Sequence, residues 1–468
     1  MNSKYKKLTL NTIIFAIGNF GSKVIAFFLV PLYTNVLSTA EYGTADLILS
    51  ITNLLLPVVS MSIGEAILFF GLKEKNNKEK VIKNGLLVWG VGAIAMLVIT
   101  PLISLYAPVK SYALYTSIYT IFLSLRLALQ LYTKAREKNF FFSIDSIVHA
   151  SLVCILNILF LLVFKMGMWG YLYALLFAEI LSTIGLFIYN KGFSIVFTGK
   201  IEKSYIKEML KYSAPLILNS ISWALAYSLD KVMLEAMVSI DAVGLYSVAS
   251  RIPTLVTTLT GFFCQAWTMS AILEFESKDR EFYKNTFSTF FMVLCFVVCG
   301  VLLILKPFMK VYVGANFYEA WKYVPFLLMA AIFQNFSSFF GSIIQSAQKN
   351  NSLLVTSLAS CFTNLILNYL LIPVLGIQGA VIGTLGSYVV VGVYRIAFAL
   401  KVMPFDIKLP KLVVAILILL LQTVVCVYDY HSVIISLIVI MLLCGIFYRD
   451  LQRMTFFLVN KTIKKENL

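Results

Sequence analysis

The chain has 468 residues, 60% of them hydrophobic and only 13% charged, with a formal net charge of +16. That balance excludes a soluble domain, because the longest stretch outside the apolar runs, residues 190–212, falls short of the ~50 residues a domain needs. The basic surplus does not call for nucleic acid either, since its placement follows the loop bias of a membrane protein and its attraction to anionic headgroups.

In chain order, fourteen runs are apolar and long enough to cross a bilayer: 10–32, 42–70, 84–105, 112–132, 140–164, 170–189, 213–232, 243–273, 286–305, 324–347, 353–372, 380–400, 412–428 and 432–448. The first is too long for a signal-peptide core and lacks a small-residue cleavage site, so it is expected to be a retained helix. Lys110, Lys165, Lys306, Lys310 and Lys322 lie in one set of loops, and Lys23, Arg126, Lys231, Arg251 and Arg395 fall inside spans. The other Lys and Arg lie on the side of the two termini, which the positive-inside rule makes cytoplasmic. The fold expected is an all-α polytopic membrane protein. All seven cysteines lie in or beside apolar spans without metal-ligand spacing, so packing is their expected role and no metal or other cofactor is implied. Trp169 and Trp321 are expected at the outer interface and Trp267 near the inner one.

An internal repeat organises these spans. Ser38-Thr-Ala-Glu-Tyr-Gly43 and Ser239-Ile-Asp-Ala-Val-Gly244 each enter an even-numbered span, 201 residues apart. Cys154 and Asn157 followed by Gly167-Met-Trp-Gly170 are echoed by Cys361 and Asn364 followed by Gly376-Ile-Gln-Gly379. The chain therefore reads as a six-helix lobe at 1–205, a second at 206–405, two further transmembrane helices at 406–448 and a basic cytoplasmic tail at 449–468. Units of even span number enter from the same side, so the repeats are parallel, with a substrate site expected between them near the midplane.

Several of these segments carry a family resemblance. The first span with Lys23 and Val30-Pro31-Leu32-Tyr33, the Glu41-Tyr42-Gly43 turn, Tyr212-Ser-Ala-Pro215 with Asp230, Val243-Gly244-Leu-Tyr246 and Leu375-Gly376-Ile-Gln-Gly379-Ala380 together resemble the Wzx-type oligosaccharide flippases. These belong to the multidrug, oligosaccharidyl-lipid and polysaccharide exporter (MOP) superfamily. The resemblance, over residues 1–400, implies a carrier that moves a polyprenyl-pyrophosphate-linked oligosaccharide from the inner to the outer leaflet by alternating access. It implies a bacterial plasma membrane, with membrane lipids, a polysaccharide polymerase and glycosyltransferases as partners.

The residues supply their own evidence. In the second span Asp46, Ser50, Asn53, Pro57, Ser60 and Gly64 recur at helical spacing, and the eighth carries Ser247, Arg251, Thr254, Thr258, Gly261 and Gln265 at the 201-residue offset. Asn19 in the first span and Asn219 in the seventh join these stripes as expected cavity lining with Asn53, Thr254 and Gln265. Helix-to-helix glue is the competing role for the uncharged members.

A charge inside a span costs about 2.5–3.5 kcal/mol on insertion scales, so Lys23, Arg251, Arg126 and Lys231 are candidate ligands for a pyrophosphate. The competing role is permanent pairing with Asp46, Glu65, Asp145, Glu179 or Asp230. Arg126 and Arg395 also lie near the cytoplasmic ends of their helices, where they are expected to reach headgroups, the reading preferred for Arg395. Asp46, Glu179 and Asp230 are the acids best placed for ion or proton coupling. His149 serves as readily as a packed side chain as it does as a relay.

Two other function classes compete. A cation-coupled multidrug exporter favours an acidic or apolar cavity, and a membrane enzyme on polyprenyl-linked sugars calls for an acid or histidine cluster on a large outer loop. The longest such loop, 306–323, has one acid, Glu319, and no histidine, so no catalytic residue is expected. No Gly-rich phosphate loop with a following Lys-Ser/Thr supplies an ATP site.

Overall fold

The computed structural model describes residues 21–74, 77–192, 201–277, 279–428 and 432–453. It is an all-α polytopic membrane protein, and its packing groups the chain into two compact units, Met1–Ser247 and Val248–Leu468. Among the described residues ten helices are long and apolar enough to cross a membrane, and two shorter apolar ones stand at the first and last spans. Long helices also occupy the seventh and eighth spans, so each expected span has a helical counterpart.

In the first unit the helices are α1 (Gly21–Val36), α2 (Thr39–Val59), α3 (Ile63–Lys73), α4 (Lys78–Ile103), α5 (Ala113–Ala135), α6 (Asn139–Asn157), α7 (Gly167–Tyr189), α8 (Lys203–Met237) and α9 (Ile240–Ala249), whose last two residues pass into the second unit. α5 is central, packed by α2, α3, α4, α6 and α7, while α8 lies along α2 and α3. Ile63, Ile67, Val81, Ile82, Leu129 and Met209 form a buried apolar cluster where α3, α4, α5 and α8 meet.

Local chemistry sets the boundaries. α2 starts at a capping box: Ser38 Oγ accepts from the Glu41 N–H at 3.2 Å, and the Glu41 carboxylate accepts from the Ser38 N–H at 2.9 Å. The sequence predicts one span over 42–70, but the helix breaks after Val59. Pro57 lies in the last turn of α2, and Met61 (φ 48°) and Ser62 (φ 46°) take left-handed backbone that only a new helix start resolves. The eighth span is likewise divided, at Ser250. The seventh is longer than expected, because α8 absorbs the polar residues from Lys203 onward.

The second unit comprises α10 (Arg251–Leu273), α11 (Arg280–Tyr312), α12 (Val324–Ser346), α13 (Asn350–Leu375), α14 (Ile377–Val402), α15 (Leu409–Tyr428) and α16 (Ser432–Ile446). α12 is its buried centre, packed by α10, α11, α14 and α15. Trp267, expected at an interface, is instead core: its Nε1–H donates to the Phe339 carbonyl at 3.0 Å and its ring stacks on Phe339 at 4.3 Å. A ring too large to leave half-exposed is buried here because its one polar group finds an acceptor.

The repeated glycine motif does the same work in each unit. Gly167 (φ 55°) and Gly376 (φ 58°) open α7 and precede α14 in left-handed backbone. The helices on either side of each turn pack closely, and a Cβ on Gly379 would lie 2.4 Å from the Leu371 carbonyl oxygen.

Beyond α16, Asp450 closes the second unit. Its carboxylate accepts from Lys411 Nζ and, at 2.9 Å, from Ser288 Oγ. Burial alone would raise this carboxyl, but the hydrogen bonds from Lys411 and Ser288 and the nearby Lys411 and Lys408 charges hold it below the usual carboxylate range. A folded-state value below the unfolded ~3.9 means that the contact stabilises above that value and is lost as pH falls through the folded one. Thermal unfolding of the detergent-solubilised chain should therefore show wild type exceeding Asp450→Asn at pH 7, with the gap closing below about pH 4. A gap independent of pH would show that Asp450 contributes only shape.

Candidate functional site

Three constellations in the first unit hold its membrane-embedded polar groups. The first joins α2 to α8 and α9. Gly43 and Gly244, 201 residues apart, lie face to face: a Cβ on Gly43 would sit 2.2 Å from the Ile240 carbonyl oxygen, and one on Gly244 would sit 2.2 Å from that of Thr39. Beside them Thr39 Oγ1 donates to the Asp241 carboxylate. One turn further on, Asp46 accepts from Ser247 Oγ at 2.6 Å, again at a 201-residue separation, and from Lys231 Nζ at 2.5 Å. Asp230 accepts from the Tyr246 hydroxyl at 2.5 Å, and Ser228 Oγ donates to the Ser50 carbonyl at 3.1 Å. Equivalent positions of the two repeats thus meet each other directly, forming a latch that needs glycine on both sides.

The second constellation lies further along the same stripe. Asn53, Pro57, Ser60 and Gly64 line a cleft of about 380 Å³ together with Glu65, Ser124 and Ser220. The stripe predicted as one cavity wall therefore has two roles. Asp46 and Ser50 are buried in helix contacts, and the residues beyond them face the cleft.

The third is a charge cluster where α5, α6 and α7 meet. Arg126 Nε donates to Glu179 at 2.5 Å, and its Nη1 donates to Asp145 at 3.1 Å. Asp145 also accepts from Ser182 Oγ at 2.5 Å and Gln130 Nε2 at 3.1 Å, while His149 Nε2 lies 2.9 Å from Glu179 Oε1. Arg126, Asp145 and Glu179 are all buried. Charge-assisted hydrogen bonds of this kind offset the cost of keeping ions away from water.

The predicted site residues are dispersed. Arg126 and Lys231, expected as phosphate ligands, are held by carboxylates. Arg126 and Arg395 do not reach toward headgroups: both are buried, and Arg395 donates to Ser337 Oγ at 2.9 Å, Thr356 Oγ1 at 3.0 Å and Ser357 Oγ at 3.0 Å. Inward-facing hydroxyls nearby make that direction cheaper than snorkelling. Lys23 stands exposed on α1, and Arg251, half-buried, opens α10 in the second unit. Thr254 and Gln265 are exposed on α10. Asn19 lies outside the described residues, as does the side chain of Asn219.

Sequence reasoning missed Gln130, Ser182, Tyr246 and the cleft position of Glu65, and it set His149 aside. A signal for the cluster was present. Arg126 and Gln130, Asp145 and His149, and Glu179 and Ser182 are each three or four residues apart on consecutive spans, giving three polar pairs at one-turn spacing.

Residues 8–270, more than half of the chain, match a sequence model described as polysaccharide biosynthesis protein. The chain belongs to that family. No curated protein matches it in sequence. Among solved structures, this polysaccharide biosynthesis protein is similar to the lipid II flippase MurJ in an inward closed conformation: TM-score 0.72, 16% identity, 94% of this chain and 99% of that one covered. It is similar to an inward-facing multidrug resistance MATE family transporter of the MOP superfamily, with TM-score 0.67 and 12% identity over 83% of this chain and 94% of that one. A mutant MATE transporter of Vibrio cholerae gives TM-score 0.56 at 14% identity, covering 85% and 96%. At such identities the likeness establishes the fold.

Two substitutions test these constellations. Arg126→Gln leaves two buried carboxylates without their cation and should cost about 3–5 kcal/mol in chemical unfolding, whereas Arg126→Lys retains most of the stability. Gly43→Ala should separate α9 from α2. With cysteines at Thr39 and Asp241, the disulfide that forms readily beside Gly43 should form poorly beside alanine.

Proposed function

We propose that this chain is a carrier, not an enzyme, that moves a polyprenyl-pyrophosphate-linked oligosaccharide from the inner to the outer leaflet of a bacterial plasma membrane by alternating access. The observation that carries this reading is membership of a polysaccharide biosynthesis family by a chain that shares the whole-length fold of a lipid II flippase. Both termini are cytoplasmic in this reading, following the loop distribution of Lys and Arg. Membrane lipids, a polysaccharide polymerase and glycosyltransferases are the partners it implies.

A pyrophosphate crossing hydrocarbon needs cations that are not already spent. Arg126 and Lys231 are committed to carboxylates. Lys23 is exposed on α1 and among the described residues forms no ion pair, so it is the ligand assigned to the pyrophosphate. The hydroxyl, amide and carboxylate groups of Ser60, Asn53 and Glu65 in the cleft suit sugar hydroxyls. The latch of Gly43 against Gly244 and Asp46 against Ser247 and Lys231 is the contact that must part for the opposite access state.

The second reading, a cation-coupled multidrug exporter, is favoured by the likeness to multidrug transporters and by Glu65 in the cleft. Purified protein in vesicles separates the two. Fluorescent lipid-linked glycan should appear outside at a rate that Lys23→Gln lowers at least ~10-fold, the loss of about 1.4 kcal/mol of interaction. Unaltered movement would remove the role of Lys23. Transport of cationic dyes with no glycan movement would select the exporter.

A further inference from the structure

Away from the cleft, the latch and the charge cluster, the first unit holds a polar pocket of about 390 Å³ whose lining includes Lys78, Glu79, Tyr132, Arg136, Asn190 and Lys191. It lies where three membrane-crossing helices begin or end: α4 starts at Lys78, α5 ends at Ala135 and α7 ends at Tyr189. The pocket is therefore at the depth of headgroups and water, not of acyl chains.

Arg136 is its fixed part. Its Nη1 donates to Asn190 Oδ1 at 3.1 Å, and its guanidinium carbon stands 5.9 Å from the centre of the Tyr132 ring. Asn190 is held in turn, its Nδ2 donating to Thr133 Oγ1 at 2.8 Å and to the Leu186 carbonyl at 2.9 Å. Tyr132 and Asn190 are buried and Arg136 is half-buried, so the fork is oriented while its Nε and Nη2 groups meet no acceptor among the described residues. Lys78 donates from Nζ to the Ala135 carbonyl at 2.8 Å. Lys191, in left-handed backbone (φ 56°) just past α7, is exposed and forms no ion pair among the described residues.

Three cations thus line one void with a single acid, Glu79, which among the described residues pairs with none of them. Cations near helix C-termini also complement the helix dipole, and Lys78 does so at the end of α5. That role accounts for one contact. It leaves the oriented face of Arg136 and the whole of Lys191 without an anion.

We propose that this pocket binds a phosphate group, with Arg136 and Lys191 as its ligands, Lys78 adding charge and Asn190 positioning the guanidinium. A guanidinium fork matches two phosphate oxygens, and an ammonium adds a point charge to a third. Two sources offer that chemistry at this depth: the headgroup of an anionic lipid and free phosphate in the adjoining water. Either one would tie the ends of α4, α5 and α7 through a single ligand, with no bond made or broken. The site does not depend on the carrier reading.

Mass spectrometry of the intact full-length chain, released from neutral detergent, counts the ligand directly. The protein is titrated separately with phosphatidylglycerol, with diacylglycerol, which lacks the phosphate, and with inorganic phosphate. Arg136→Gln with Lys191→Asn should weaken binding of the phosphate-bearing ligand at least ~10-fold and leave diacylglycerol unaffected. Lys80→Gln is the control, because Lys80 starts the same helix but pairs with Glu202 at 2.6 Å and lines no part of the pocket. It removes a positive charge and should leave binding unchanged. Loss with phosphatidylglycerol alone supports the site and assigns it to a lipid headgroup, whereas loss with inorganic phosphate supports it and assigns it to a soluble source. Equal affinity in wild type and the double variant would overturn the site, and so would an equal loss in Lys80→Gln, which would reduce it to diffuse attraction. Gel filtration checks folding; should the double variant fail, Lys191→Glu, at an exposed position, replaces it with the same expectation.

Discussion

Inside hydrocarbon a charge has no water to retreat to, and every ion that the sequence places in a span must be answered by the protein itself. The three buried or half-buried cations described in detail are answered differently. Arg126 meets two carboxylates, Lys231 meets Asp46, and Arg395 meets three hydroxyls and the backbone. The first unit therefore holds surplus negative charge around Arg126, while the Arg395 site in the second keeps its positive charge among neutral acceptors.

The repeat gives this economy a structural frame. Corresponding positions do the same work twice, as in the left-handed turns at Gly167 and Gly376. They also touch: Gly43 against Gly244 and Asp46 against Ser247 bring like positions together, which is the signature of a pseudo-two-fold contact. A contact made of glycine backbones and a few hydrogen bonds is tight but small.

The second span shows how helix breaks serve the same end. Met61 and Ser62 in left-handed backbone divide it into α2 and α3, and the residues on either side of the break, Pro57, Ser60 and Gly64, line the cleft. Irregular backbone at membrane depth is tolerated where it faces protein or a polar cavity, and here it faces both. The polar groups freed at the break are met locally, with the Ser62 N–H reaching the Pro57 carbonyl and Ser60 Oγ.

Membrane class, the placing of helices and the existence of a repeat were legible in the chain, because hydropathy and the glycine motifs act locally and add along the sequence. The resemblance carried by Lys23, Tyr42-Gly43 and Gly376 pointed to polysaccharide biosynthesis, the family whose model the chain matches. The partners of each charge were not legible. Arg395 and Arg126 look alike as arginines near helix ends, yet one is surrounded by hydroxyls and the other by carboxylates. His149 gains its interest only because α7 brings Glu179 beside it. Which helices become neighbours, and in what rotation, is decided by packing between segments tens of residues apart, and the electrostatics of a buried group belongs to those neighbours rather than to its own sequence window.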